Sequence, residues 1–228
     1  MIPFCQRSID FLYFNHKHNS KAWYAEHRED FKKYLSVPFC DLAAALEPTM
    51  RQIDPKIICN PKANGTVSKL NKDLRFAKDK TCLYRDTMWM TLMREKSFDL
   101  CQPAYFFEIS PYRVRYGCGF YWEDGATVKT VRKLILENAP VFQKAKECYS
   151  SQNEFVLFGE EYKKDMFADA PEDAREWLNK KYLCVIAQSQ DIDFLCSPDL
   201  ADTLAHKFLQ IKPVYDFLST AQEIAHNV

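Results

Sequence analysis

The sequence predicts an α+β fold, in which helices from both ends of the chain pack on a central antiparallel β-meander or sheet. Apolar residues recur at helical spacing before residue 54 and again after residue 124. Between these regions, three segments alternate apolar and polar residues as half-buried strands do, namely 87–93, 104–110 and 113–122. Strands grouped in the middle, with helices grouped on either side, are typical of α+β rather than α/β proteins.

We expect a single domain over residues 1–228, because no repeat, low-complexity tract or linker divides the chain. Its predicted parts are an N-terminal helical part at 8–53, a signature segment with the β-meander at 57–122, and a C-terminal α/β part at 126–226.

Three helices are expected in the N-terminal part. Ser8 can cap the first and Asn19 or Ser20 the second, because these side chains accept hydrogen bonds from backbone N–H groups. Pro38 suits the first turn of the third helix. Pro48 is expected to kink or split that helix, because proline lacks an N–H donor.

Residues 104–110 and 113–121 are predicted to form an antiparallel hairpin that turns at Pro111. Proline cannot adopt the positive φ of a two-residue type I′ turn, so a four-residue loop is expected. A loop of this length places Phe107 and Tyr116 together on the buried face of the sheet.

The C-terminal part is predicted to contain five helices and two short strands. Proline and capping residues mark the helix starts, and short apolar runs mark the strands. The helices are expected to begin at 124–127, Pro140, 169–171, 197–199 and Pro213, and the strands to lie at 154–158 and 182–187.

The composition disfavours several classes of function. The chain of 228 residues carries 31 basic and 31 acidic side chains, a balance that disfavours bulk attraction to nucleic acid or to anionic membranes. No apolar run reaches the ~20 residues that a membrane span needs. The nine cysteines are odd in number, contain no Cys-x-x-Cys pair and follow no signal peptide. We therefore expect free thiols and a cytoplasmic protein, and the sequence leaves the oligomeric state open.

Residues 68–86, here called the signature segment, carry six cations and three aspartates around two aromatic side chains. The apolar residues of this segment follow neither a helical nor a strand period, so we expect an ordered irregular segment, where binding residues concentrate. The candidate ligand-binding residues are Lys69, Asp73, Arg75, Lys80, Tyr84 and Arg85, together with Arg115 from the hairpin, and Asn19 and Trp23 are placed at the edge of the site.

The signature segment resembles that of an uncharacterised bacterial and fungal family, domain of unknown function 2461. The family signature is roughly Arg-Ile-x-Arg-Asp-x-Arg-Phe-Ser-Lys-Asp-Lys-Thr-Pro-Tyr-Lys. The residues that match it are Asp73, Arg75, Phe76, Lys78, Asp79, Lys80, Thr81 and Tyr84. The departures are Lys69 and Lys72 for the two leading arginines, Ala77 for serine, Cys82-Leu83 for a single proline, and Arg85 for lysine. The resemblance implies a fold family and no established activity.

A small anionic ligand, phosphorylated or carboxylated, is the first hypothesis for the signature segment. Arginine forks and lysine ammonium groups both suit phosphate and carboxylate oxygens. In this hypothesis the anion contacts are Arg75, Lys80 and Arg85, oriented by Asp73 and Asp79. The first alternative is a non-enzymatic protein-interaction module in which the segment is a structural ion-pair network. The second is a nucleic-acid binder, which the balanced charge disfavours.

The hairpin supplies a candidate catalytic group. Glu108 and Arg115 are expected on the sheet face opposite Phe107, and Glu108 is the candidate acid or base if the protein is an enzyme. Gly117 and Gly119 would leave the floor of that face open to a ligand, because they have no side chain. In the alternative interpretation, Glu108 and Arg115 form an ordinary solvent-exposed ion pair.

No metal site and no cofactor are expected from the sequence. His16, His18 and His27 lack cysteine or carboxylate neighbours at a metal-binding spacing. The chain contains no P-loop, dinucleotide fingerprint, Gly-x-Ser-x-Gly or His-Glu-x-x-His motif.

Overall fold

The computed structural model describes residues 3–61, 65–75, 79–95, 101–122 and 124–227. The predicted α+β class is confirmed: a five-stranded antiparallel sheet has helices on both sides of it. The strand order is β1-β2-β3-β5-β4. The strands are β1 Met88–Leu92, β2 Ala104–Ile109, β3 Val114–Gly119, β4 Val156–Phe158 and β5 Cys184–Ser189.

The helices follow the predicted order. The N-terminal helices are α1 Gln6–His18, α2 Lys21–Glu26, α3 Arg28–Phe31 and α4 Val37–Ile53, with a π-helical segment at Lys32–Ser36. The later helices are α5 Gly125–Leu136, α6 Pro140–Ser150, α7 Glu172–Leu178, α8 Ile192–Cys196, α9 Leu200–Gln210 and α10 Lys212–His226. The predicted second helix is divided into α2, α3 and the π-helical segment, and α8 was not predicted.

Helix α1 starts earlier than its expected cap. It begins at Gln6, so the prediction that Ser8 caps it is wrong. Ser8 is instead at the third helical position, where its Oγ accepts the N–H of Cys5 at 3.1 Å. The same hydroxyl donates to the carbonyl of Tyr34 at 2.7 Å and so ties α1 to the π-helical segment. Ser20 caps α2 as predicted, by accepting the N–H of Trp23.

Helix α4 runs through Pro48 without a break, so the expected split is wrong. Proline removes the hydrogen bond to the carbonyl four residues earlier, that of Ala44. Pro48 and Ala44 are both exposed, so water can satisfy that carbonyl.

Close contacts divide the chain into two compact units. The first contains Met1–Leu92, Phe106–Arg115 and Gln188–Ala205, and the second contains Met93–Tyr105, Tyr116–Ala187 and His206–Val228. Nothing in this division tests the expected single domain, which stays a prediction.

The core of the first unit is aromatic. The rings of Phe4, Phe39 and Phe107 pack together with centroid separations of 5.0–6.0 Å. A fully buried phenylalanine contributes about 1.5–3 kcal/mol through the hydrophobic effect. In the second unit, Tyr105 packs against Phe208 and Tyr215.

The hairpin has the predicted parity. The N–H of Ser110 donates to the carbonyl of Arg113 and closes a four-residue turn. Phe107 and Tyr116 are 0% and 4% exposed. Their positions confirm the predicted buried face of each strand.

None of the nine cysteines forms a disulfide, as expected. Within the described ranges, no helix combines the length and the apolar character that crossing a bilayer requires.

Candidate functional site

The signature segment folds back on itself as a two-armed loop within the first compact unit. The N–H of Lys72 donates to the carbonyl of Leu83, and the N–H of Arg85 donates to that of Leu70, each at 2.9 Å. Asn71 and Tyr84 form an isolated antiparallel bridge between these bonds. The expected ordered irregular segment is therefore confirmed for the residues described, and 73–75 and 79–81 are here called its tip.

Arg85 holds the first arm from inside the loop. Its Nη1 donates to the carbonyls of Lys69 at 3.0 Å and Asn71 at 2.5 Å. Its guanidinium carbon lies 5.1 Å from the centre of the Trp89 ring, at cation–π distance. Much of the guanidinium is thus engaged with the protein itself.

Asn19 holds the other side of the loop. This residue caps the C-terminus of α1 in the left-handed conformation, with φ of 49°, a region that asparagine tolerates better than most residues. Its Nδ2 donates to the carbonyl of Thr81 at 2.7 Å, and its Oδ1 accepts the N–H of Leu83 at 2.6 Å. The structure therefore brings Asn19 to the signature segment.

Tyr84 anchors the base of the loop. Its side chain is 2% exposed, and its ring stacks on that of Tyr24 at 5.1 Å. Burial raises the pKa of both phenols, and the neighbouring Tyr84 adds to the rise at Tyr24. Tyr84 is thus positioned as a packing residue.

The tip carries a local ion pair. Nε and Nη2 of Arg75 donate to the two carboxylate oxygens of Asp73 at 3.0 and 2.7 Å. These hydrogen bonds lower the pKa of Asp73 to about 2. Arg75 and Asp73 are 80% and 45% exposed, so water screens the pair. Asp73 thus contacts Arg75, and the role of this pair at a ligand stays a prediction.

Asp79 has a different role from the predicted one. Its Oδ1 accepts the N–H of Thr81 at 2.8 Å and the hydroxyl of Thr81 at 2.6 Å. The hydroxyl and the N–H of Thr81 together lower the pKa of Asp79. Its described bonds shape the backbone of the tip and do not orient an arginine.

Two lysines of the loop point to solvent. Lys69 and Lys80 are both exposed. Neither forms an ion pair with any residue that the structure describes. Phe76, Ala77 and Lys78 of the signature lie outside the described residues.

Glu108 and Arg115 pair with each other on the hairpin. Nε and Nη2 of Arg115 both donate to Oε1 of Glu108, at 2.7 and 2.6 Å. The two side chains are only 17% and 24% exposed. Across the described part of the chain, neither makes a hydrogen bond to the signature segment. A catalytic role for Glu108 and a ligand contact by Arg115 stay predictions.

The glycines of β3 do not form an open floor, contrary to expectation. A Cβ on Gly117 would lie 1.9 Å from the carbonyl oxygen of Val185, and one on Gly119 would lie 2.4 Å from Cα of Cys184. Both glycines are buried. They permit the close approach of β5 to β3, which is the other common reason for glycine in a strand.

A comparison with protein-family models identifies the chain. The model described as "Conserved hypothetical protein (DUF2461)" matches residues 7–217 of the 228. The chain belongs to this family. No curated protein and no solved structure matches it. Membership in DUF2461 thus confirms the resemblance carried by the signature segment, and the family description states no activity.

Lys72 and Cys82, two residues at which this DUF2461 chain differs from the family signature, contact each other. The Nζ of Lys72 lies 2.8 Å from the Sγ of Cys82. Nδ1 of His16 lies 3.9 Å from the same sulfur and 3.0 Å from the carbonyl oxygen of Tyr84. This cluster was missed in the sequence, because no local pattern connects His16 on α1 with residues of the loop.

Trp23 lies at a cavity of about 370 Å³ within the first unit. Its indole is stacked between the rings of His18 and His27, at 5.1 and 4.0 Å. The cavity is lined by Arg7, Asp10, Phe11, Phe14, His18, Trp23, His27, Asp30 and Tyr34. Over the described ranges, no group of three or more histidine, cysteine or acidic side chains is arranged to hold a metal ion.

Proposed function

We infer that this DUF2461 protein binds a small phosphorylated or carboxylated anion at the signature segment. The observation that carries the proposal is the exposure of Lys69 and Lys80, which lack ion-pair partners among the described residues. The loop that bears them is held in place by Arg85 and Asn19. A fixed loop with uncompensated cations is well suited to an anionic ligand.

The charge of the loop supports the same ligand class. Five cations against three aspartates in the described part of the segment leave a formal charge of +2. Arg75 already binds a carboxylate, that of Asp73, through two parallel hydrogen bonds. A ligand carboxylate or phosphate offers the same pair of acceptor oxygens to a guanidinium.

The described residues of the tip are also held by hydrogen bonds in the free protein. Asp79 binds Thr81, and Asn19 binds the backbone on both sides of Cys82. Order in the free protein reduces the conformational entropy lost on binding.

An alternative is a protein-interaction module in which the signature segment is structural. The engagement of Arg85 with backbone carbonyls favours this alternative, as does the burial of Tyr84. In that case the charges of the segment would stabilise the loop, and added anions would have no specific effect.

Thermal unfolding in the presence of anions tests the proposal. We expect the Tm of the wild type to be higher in inorganic phosphate, or in small phosphorylated or carboxylated metabolites, than in chloride at equal ionic strength. A ligand at 100 times its Kd stabilises the folded state by about 2.7 kcal/mol. Lys80→Gln and Lys69→Gln should lose most of this shift.

The matched control is Lys163→Gln, at an exposed lysine of the second unit. It removes the same charge and should keep the full anion-dependent shift. Equal shifts in Lys80→Gln and Lys163→Gln, or no specific shift in the wild type, would favour the structural alternative.

A further inference from the structure

The contact between Lys72 and Cys82 has the geometry of a reactive pair. The Nζ and Sγ atoms are 2.8 Å apart and belong to opposite arms of the loop. Both side chains are half-buried, so solvent and small oxidants can reach them. An electropositive and partly exposed setting is the one in which thiols react most readily.

The nearest nucleophilic group to the sulfur of Cys82 is the side-chain amine of Lys72. The carbonyl of Tyr84 can only accept, so His16 Nδ1 carries a proton and directs it towards that oxygen and the sulfur. In the thiol form, Sγ of Cys82 donates to the same carbonyl at 3.3 Å. Cys82 itself forms no disulfide.

We propose that Cys82 is a peroxide-sensitive modification site at which Lys72 captures the oxidised sulfur in a covalent sulfur–nitrogen bond. Hydrogen peroxide first oxidises the thiol to a sulfenic acid, while its O–O bond breaks and one water leaves. The ammonium of Lys72 then loses a proton to solvent, and the amine nitrogen attacks the sulfur. The S–O bond breaks, and hydroxide leaves with a proton as a second water.

The product is a sulfenamide that joins residues 72 and 82 and has two hydrogen atoms fewer than the reduced protein. Sulfenic acids form such links with nearby nitrogen nucleophiles, and thiol reductants reverse them. The link closes the two arms of the loop covalently and removes the charge of Lys72. Its formation needs no ligand, so it does not depend on the proposed anion binding.

Peptide mass spectrometry of the full chain tests the link. The protein is treated with a small excess of hydrogen peroxide at neutral pH, alkylated without reduction and digested with trypsin. Cleavage after Arg75 and Lys80 separates the two arms, so a link appears as one joined peptide pair. We expect this pair, lighter by two hydrogens, and we expect dithiothreitol to abolish it.

Two variants assign the chemistry. Lys72→Arg keeps the positive charge but replaces the amine by a poorly nucleophilic guanidinium, so Cys82 should stop at a sulfenic acid that dimedone traps. Cys82→Ser should give neither product. Circular dichroism checks that each variant folds, and fragment ions of the wild-type pair locate both linked residues independently of the variants.

Cys148 is the internal control. It is also half-buried, and its sulfur also donates to a carbonyl, that of Gln210, but burial raises the pKa of its thiol. During peroxide treatment, the fraction of Cys82 that can still be alkylated should therefore fall several times faster than that of Cys148. Oxidation of Cys82 that leaves the Lys72 amine free, or oxidation of Cys148 before Cys82, would overturn the proposal.

Discussion

Two arginine–carboxylate pairs of the first compact unit have the same chemistry in different surroundings. Arg115 and Glu108 are 24% and 17% exposed, whereas Arg75 and Asp73 are 80% and 45% exposed. Both arginines donate twice to their carboxylate. Desolvated charges depend strongly on their partners, while exposed charges exchange a partner for water at little cost. The first pair is therefore suited to holding the fold, and the second to exchanging its partner for a ligand.

The largest effect is expected at the hairpin pair. Glu108→Gln leaves the guanidinium of Arg115 without its counter-charge in a mostly buried position. Removing one partner of a fully buried pair costs about 3–5 kcal/mol, and the remaining exposure here reduces the expected loss to about 2–3 kcal/mol. Urea unfolding should report the loss, and the Tm should fall by roughly 5–10 °C.

A double variant separates the charge effect from packing. Glu108→Leu combined with Arg115→Leu removes both charges, so it should be more stable than Glu108→Gln. If Glu108→Gln unfolds like the wild type, the contrast between the two pairs is wrong.

A smaller loss of stability is expected at Asn19, which lies outside the loop and forms hydrogen bonds to its backbone. Asn19→Ala removes two hydrogen bonds to the backbone and places alanine at a φ of 49°. The expected loss is about 1–3 kcal/mol, since a left-handed conformation alone costs a non-glycine residue roughly 1 kcal/mol or more. Asn19→Gly removes the bonds without the strain and should lose less. Trypsin should cleave both variants after Lys80 faster than the wild type, and unchanged cleavage would show that Asn19 does not hold the tip.

Arg85→Lys should have a more modest effect. Lysine keeps the charge but lacks the planar fork, so we expect it to lose one of the two carbonyl bonds and the stacking on Trp89. The expected loss is about 0.5–1.5 kcal/mol in urea unfolding. A loss as large as that of Glu108→Gln would place Arg85 among the main supports of the fold.

The hairpin and the helices could be predicted because their signals are local. The alternation of apolar residues in 104–110 and 113–121 sets which side chains face the core, whatever covers them. The same reasoning failed for Gly117 and Gly119. Their neighbours come from β5, which lies far along the sequence, so the sequence around them does not distinguish an open floor from a close strand contact.

The sequence predicted where the candidate site lies in the chain, but not which contacts its residues make. The cation-rich, aperiodic composition located the loop. The roles of its residues depend on partners that are distant in sequence, such as Asn19 and Thr81, which are 62 residues apart. Arg85 and Tyr84 were expected at a ligand, and the structure engages them with backbone carbonyls and with Tyr24. A single sequence carries no signal for such pairings.

The smallest effect on stability is expected at the exposed pair, and its test needs a second readout. Arg75→Gln removes a guanidinium that is 80% exposed, so the free energy of unfolding at neutral pH should stay close to that of the wild type. The pKa of Asp73 should nevertheless rise from about 2 towards its ordinary value, because the hydrogen bonds of Arg75 hold it down.

The direction in which stability depends on pH follows from the lowered pKa of Asp73 in the folded state. Any stability that this pair contributes is present above the unfolded pKa and is lost as pH falls through that value towards 2. An NMR titration of the Asp73 carboxyl carbon in wild type and Arg75→Gln measures the shift directly. A large loss of stability at neutral pH would make Arg75 a structural residue, equal to Arg115, and would remove it from the proposed ligand contacts.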